Sequence, residues 1–340
     1  MADVRPDAAE YHRSVLLDEV CEALAPAFAR DGVDRDPSVP LRYVDLTTGG
    51  GGHARAVAER LRPDEMWLFD RDPEALAEAE RALDQMEGPR PKIHRIHAPL
   101  SEAPARLDAA GVTEVHGVLA DLGVSSHQLD EASRGFSFRG DGPLDMRMDP
   151  TQGETAAELI ARSSADALAK ILRDFGEEPD ARRIAQALVE AKPTRTLEAA
   201  RVVADAMSHR QLRNLGRRID PATRTFQALR IAVNGELDQL DALLRDGPTL
   251  LAPGGRLAII SFHSLEDRRV KQVMRRLSRP PTLPVDLPIQ NDDIEPAPFS
   301  VPRGWNRGAT AGEEELAANP RSRSARLRVL ERSLVPTPSS

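Results

Sequence analysis

Short apolar runs alternate with helical patterns through the first third of the chain. Tyr43-Val44-Asp45-Leu46 reads as a strand with an acid near its end, and a glycine cluster, Gly49 to Gly52, follows it. Ala54, Val57, Ala58 and Leu61 then recur at helical spacing. Met66-Trp67-Leu68-Phe69-Asp70 reads as a second strand, again closing on an acid. Asp72-Pro73 predicts a helix start, with the acid at the N-cap and Leu76, Ala79 and Leu83 on the buried side. Lys92 to Ile96 predicts a third strand, and Ser101 the cap of a helix reaching about Ala110. Val115 to Asp121 predicts a fourth strand, and it too ends in an acid.

This alternation predicts an α/β fold, a doubly wound parallel sheet with helices on both faces. Right-handed crossovers place all strand C-termini on one edge, where such sheets bind ligands. Asp45, Asp70 and Asp121 are therefore expected to line one crevice. From 133 to 225 the pattern is helical, with Leu159, Ile160, Leu168, Ile171, Leu172, Ile184, Leu188 and Val189 at helical spacing. It predicts an inserted helical domain for substrate recognition. The α/β part, 1–132, is then expected to continue over 226–334. One helix carries Phe226, Leu229, Val233, Leu237, Leu240 and Leu244; a Pro253-Gly254-Gly255 turn leads to a fifth strand, Leu257 to Phe262. A basic helix spans Glu266 to Leu277, and 280–319 reads as a long proline-rich excursion. Ser324 to Leu330 predicts a final edge strand, and 335–340 a disordered tail.

Composition narrows the class. Of 340 residues 40% are hydrophobic and 29% charged, which predicts a soluble globular chain. The single cysteine, Cys21, excludes an internal disulfide framework, and no metal site is expected. No apolar run is long enough to span a bilayer, and Met1 to Glu10 lacks a secretory pattern, so a cytoplasmic protein is expected. The net charge of −8 does not exclude a nucleic-acid partner, because a sum hides local asymmetry. Arg210, Arg213, Arg217, Arg218 and Arg224 form one basic group; Arg321, Arg323, Arg326 and Arg328 form another.

A glycine turn between strand and helix lets backbone approach a ligand. Gly49-x-Gly51-x-x-Ala54 with Asp70 about twenty residues on also fits the dinucleotide fingerprint, so an NAD(P)-dependent oxidoreductase is an alternative. Asp45 weighs against it. An acid at the end of the first strand repels a pyrophosphate but can accept from the cationic amino-acid end of S-adenosyl-L-methionine or hold ordered water there. Asp70 then suits the ribose hydroxyls. A methyltransferase acting on protein or small molecules, and a non-catalytic RNA-binding module, are also compatible with this pattern.

The sequence resembles the bacterial 16S ribosomal RNA cytosine-N4 methyltransferases, the RsmH/MraW family. The matching words run along nearly the whole chain: His12 to Leu17, Asp45 to His53, Asp70 to Pro73, Asp121 to Asp130, Arg134 to Phe138 and Gly142 to Asp149. They continue with Phe175 to Glu178, Thr225 to Arg230, Ser261 to Arg268 and Arg321 to Ala325. The resemblance implies a class I S-adenosylmethionine-dependent methyltransferase acting on the exocyclic N4 of one cytidine in the decoding region. Its implied partner is 16S ribosomal RNA or the small ribosomal subunit. It implies cofactor contacts at Gly51, Gly52, His53, Asp70, Leu100, Asp121 and Gln128. Leu100 stands where the family usually carries phenylalanine, and Leu46 and Thr48 also depart from the common loop.

No catalytic residue is assigned. The segment after Asp121 lacks the Asp/Asn-Pro-Pro-aromatic signature of many amino-methyltransferases, so the groups holding the base come from elsewhere. Ser125, Ser126, Asp145 and His263 are the candidates. The oligomeric state stays open, with the helical insertion one surface available to a homodimer.

Overall fold

The computed structural model describes residues 14–30, 36, 38–86, 88–215, 220–280 and 296–334. The chain divides into two compact units, one of residues 1–123 with 239–340, the other of residues 124–238.

The first unit holds a sheet of seven strands among the described residues. These are β1 (Arg42–Asp45), β2 (Glu65–Asp70), β3 (Lys92–His97), β4 (Val115–Asp121), β5 (Leu251–Ser261), β6 (Phe299–Ser300) and β7 (Arg326–Arg332). Their order is β3-β2-β1-β4-β5-β7-β6. The first five strands pair in parallel, and β7 runs antiparallel to both β5 and β6. Alternate residues feed opposite faces, as a pleated strand requires. Tyr43, Leu68, Leu119, Ala258 and Ile260 enter one apolar cluster with Val20, Leu24, Val57 and Leu83. Those residues lie on α1 (Leu17–Leu24), α2 (Gly52–Leu61) and α3 (Pro73–Asp84). Val44, Trp67, Phe69, Val118, Leu257 and Ile259 enter the other, with Leu107, Val270 and Met274. The first of these three is on α4 (Ala103–Ala109). The central strands are buried on both faces, which explains why they read as near-continuous apolar runs.

The second unit is helical: α5 (Ser126–Asp130), α6 (Ala156–Arg162), α7 (Ala165–Gly176), α8 (Ala181–Ala191), α9 (Thr196–Ala206), α10 (His209–Leu215) and α11 (Thr223–Asn234). Leu168, Leu172, Ile184, Leu188, Val203, Phe226 and Leu229 form its core. Phe138 meets Phe226 edge to face at 4.9 Å. α12 (Glu236–Asp246) follows, then α13 (Ser264–Leu277) and α14 (Glu313–Ala318).

Several expectations need correction. The single helix expected across Phe226 to Leu244 is two helices, because Gly235 takes a φ of +59° and caps α11. Phe226, Ala228 and Leu229 bury into the helical core, so that unit extends to 238 rather than ending at 225. Ser101 caps no helix. It lies in a 3-10 turn, Leu100–Glu102, and its amide donates to Gln239 Oε1 at 3.2 Å. Pro253 to Gly255 is not a turn before β5 but a bulge inside it, where the pairing with β4 slips between Val115 and Gly117. The expected edge strand is the interior strand β7, and β6 is the edge. The excursion over 280–319 contains β6 and α14. His12, Arg217, Arg218 and the 335–340 tail lie outside the described residues.

Candidate functional site

The strand order makes β2, β1 and β4 neighbours, and each ends in an aspartate: Asp70, Asp45 and Asp121. Asp45 is in register with Leu68 and Leu119, so it sits two residues below the other two acids. The expected common edge is therefore present, and it is formed by adjacent strands.

Asp45 is 1% exposed. Its Oδ2 accepts from Tyr43 Oη at 3.0 Å, and its Oδ1 from the Thr47 amide at 3.2 Å. Burial dominates over these donors and pushes its pKa up to about 7. Asp70 accepts from the Gly49 amide and the Asp72 amide, both at 2.8 Å, and burial raises it to about 6. Asp121 is pushed well above the usual carboxylate range by burial, then by the charges of Asp45 and Glu266. Its Oδ1 is enclosed and has no hydrogen-bond partner among the described residues. Each carboxylate oxygen offers two acceptor directions, so these acids keep acceptor capacity beyond the donors they already meet.

The loop between β1 and α2 is tied to the same edge. Thr48 Oγ1 donates to the Phe69 carbonyl at 3.0 Å, and Thr47 Oγ1 accepts from the Asp121 amide at 2.6 Å. Gly49 and Gly51 have φ of +52° and +80°. A Cβ on Gly49 would meet nothing nearer than 3.9 Å, whereas one on Gly51 would lie 2.8 Å from the Ala79 Cα of α3. The two glycines thus serve different ends. Gly51 lets a helix approach, and Gly49 leaves open space above the loop. His53 is buried at the start of α2; its Nε2 donates to the Val15 carbonyl at 2.9 Å, and its Nδ1 lies 3.7 Å from Asp121 Oδ2.

Leu100 is partly buried in its 3-10 turn against the Leu107 cluster. His263 follows β5 and precedes α13; its Nε2 lies 3.2 Å from Glu266 Oε1, and Glu266 Oε2 accepts from the Phe262 amide at 2.9 Å. Gln128, Ser125, Ser126 and Asp145 belong to the helical unit. There Ser125 Oγ accepts from the Gln128 amide and Gln128 Oε1 from the Ser125 amide, a capping box that opens α5. Both Asp145 oxygens accept from the Arg147 guanidinium at 2.8 Å, and its pKa lies below the usual carboxylate value. Of the basic candidates, half-buried Arg224 donates to the Glu177 carbonyl, and Arg328 is buried and pairs with Asp267.

The sequence profile that describes the MraW methylase family matches residues 9–333. The chain belongs to the MraW methylase family. Among its relatives, a "Ribosomal RNA small subunit methyltransferase H" of Halorhodospira halophila is 52% identical over 297 residues, 85% of this chain and 88% of that one. A protein of the same name from Leptothrix cholodnii is 46% identical over 96% of this chain and 95% of its own. A third, from Thioalkalivibrio sulfidiphilus, is 46% identical over 94% of this chain and 97% of its own. The chain is therefore a methyltransferase with the class I fold, and the oxidoreductase alternative falls. No helix among the described residues is long and apolar enough to cross a membrane.

Tyr43, Thr47 and Glu266 were not singled out from the sequence of this methylase, and Thr48 only as a departure from the common loop, yet they fix the acids and the loop. The two threonines that follow Asp45-Leu46 at the end of the strand were the available signal.

Proposed function

We propose that the chain transfers a methyl group from S-adenosyl-L-methionine to the exocyclic N4 of one cytidine in the decoding region of 16S ribosomal RNA. The observation that carries this reading is the row of three strand-tip aspartates around an open glycine loop, with Asp121 Oδ1 enclosed and unpartnered. An enclosed acceptor without a donor suits a cationic ligand group, because a buried carboxylate is costly until it is paired. The family and the relatives' names support the RNA substrate.

In this reading Gly51, Gly52 and His53 form the loop that receives the amino-acid end of the cofactor. Asp45, expected to meet the amino group, is 1% exposed and already accepts from Tyr43 and Thr47, so in this reading Asp121 accepts from the amino group, Asp70 from the ribose hydroxyls, and Leu100 forms an aliphatic wall for the adenine. Gln128 as a cofactor contact rests on the resemblance alone. The cofactor, when bound, supplies an activated methyl on a sulfonium; the protein's contribution is orientation and exclusion of water. The acceptor amine is a weak nucleophile because its lone pair is delocalised into the ring, so a hydrogen-bond acceptor placed at its N–H is needed. Ser125, Ser126, Asp145 and His263 are the candidates for that role; Asp145 accepts from Arg147, Ser125 Oγ accepts from the Gln128 amide, and His263 Nε2 lies 3.2 Å from Glu266 Oε1. The base must be unpaired or flipped, since N4 is used in a Watson–Crick pair. We assign the recognition of the surrounding RNA to the helical unit.

Small ribosomal subunits from cells lacking the enzyme, incubated with it and methyl-labelled cofactor, test this reading. Nucleoside mass spectrometry is expected to find the label on the N4 of cytidine at a single site. Label on another atom, or in protein alone, would overturn the assignment.

A further inference from the structure

His53 is held from two sides. A carbonyl oxygen only accepts, so the 2.9 Å contact with Val15 places a proton on Nε2. Nδ1 then faces Asp121 Oδ2 at 3.7 Å. Burial lowers the imidazole pKa to about 4, so at neutral pH the ring carries one proton and Nδ1 is a bare lone pair. A lone pair opposite an ionised carboxylate oxygen is repulsive. The remaining neighbours of Asp121 make ionisation worse. Asp45 stands beside it on the tip of β1, Asp70 lies beyond on β2, and Glu266 faces it from the first turn of α13. Tyr43 directs its hydroxyl at Asp45, and Thr47 Oγ1 takes the backbone amide of Asp121 rather than its carboxylate. Among the described residues no lysine or arginine makes an ion pair with Asp45 or Asp121.

We propose that His53 is a positioning residue whose bare Nδ1, 3.7 Å from Asp121 Oδ2, favours a protonated Asp121 in the cofactor-free protein, and that the cofactor's amino group takes the place of that proton. The proposal rests on the cofactor reading above. On binding, the Asp121 O–H bond breaks, the proton passes to solvent, and the carboxylate accepts from the ammonium. Cofactor affinity then rises with pH, by as much as about tenfold per unit for one proton released, until Asp121 is ionised in the free protein as well.

Two measurements on the full chain test this. Nitrogen NMR of the cofactor-free protein is expected to show His53 at pH 7 with Nε2 protonated and Nδ1 bare; a doubly protonated ring would overturn the proposal. Calorimetry with S-adenosylhomocysteine at pH 7, in two buffers of different ionisation enthalpy, counts protons. Wild type is expected to release about one proton more than Asp121→Asn, whose amide does not titrate. His53→Gln keeps an N–H for Val15 but lacks Nδ1, and is expected to bind with fewer protons released than wild type. Equal proton counts in wild type and in whichever variant binds would overturn the displacement step. Absence of binding to wild type would instead reject the cofactor reading, with the NMR result still deciding the state of His53.

Discussion

Gly49 and Gly51 share a left-handed backbone and differ in what surrounds them, so replacing each by alanine separates conformation from packing. An L-residue in this region costs about 1–2 kcal/mol, and both variants carry that term. Only at Gly51 does the new Cβ fall 2.8 Å from Ala79 Cα, closer than real contacts permit, and 3.0 Å from its Cβ. Overpacking of this kind costs a further 1–3 kcal/mol or so, because α3 must shift. Gly51→Ala is therefore expected to lose about 2–5 kcal/mol and Gly49→Ala about 1–2 kcal/mol. Trp67 and Trp305 both lie in the sheet-containing unit, so intrinsic fluorescence during urea unfolding reports on the unit that is perturbed. Equal losses in the two variants would refute the claim that Gly51 is required by the approach of α3.

Two further outcomes follow from the buried polar groups. The folded-state pKa of Asp45 is raised from an ordinary 3.8 to about 7, so its neutral form is favoured by folding. That stabilisation is complete below about pH 4 and is lost as pH rises through 7; the stability of wild type relative to Asp45→Asn should fall across that window, and a flat difference in urea midpoints would contradict it. Asn234 is 5% exposed; it accepts from the Met148 amide and donates to the Met146 and Arg230 carbonyls. Asn234→Ala leaves two buried backbone groups and the half-buried Arg230 carbonyl without that partner and should cost about 2–4 kcal/mol, read as faster hydrogen exchange at the Met148 amide.

Much of the first unit was legible because its central strands are buried on both faces. Val44, Leu68 and Val118 sit in runs too apolar and too short to be helices, and each run closes on its acid. The helix break at Gly235 was not legible, since one glycine inside a helical pattern is compatible with continuation. The bulge at Pro253 to Gly255 reads locally as a turn, and only pairing with Val115 reveals strand on both sides of it. The position of β7 is likewise a tertiary fact: an apolar run near the end of the sequence carries no mark of which neighbours it will find. For the candidate site, residue types at strand ends pointed to Asp45, Asp70 and Asp121. Tyr43 and Thr47 stayed hidden because their roles depend on hydrogen bonds, one of them between strand tips 74 residues apart in sequence. The proton on His53 Nε2 was equally hidden, since nothing local to the loop indicates that Val15 lies opposite.

The insertion of β7 between β5 and β6 imposes an order on synthesis. Through Arg326 to Ser261 and Glu331 to Arg256, the exposed flank of β5 gains its ladder only when the segment from 326 to 332 has left the ribosome. β6, made earlier, hydrogen-bonds into the sheet only through that same segment. A growing chain thus carries an open sheet margin from the completion of β5 at Ser261 until Arg332 is made, and a premature stop before Arg326 would leave both strands without their shared neighbour.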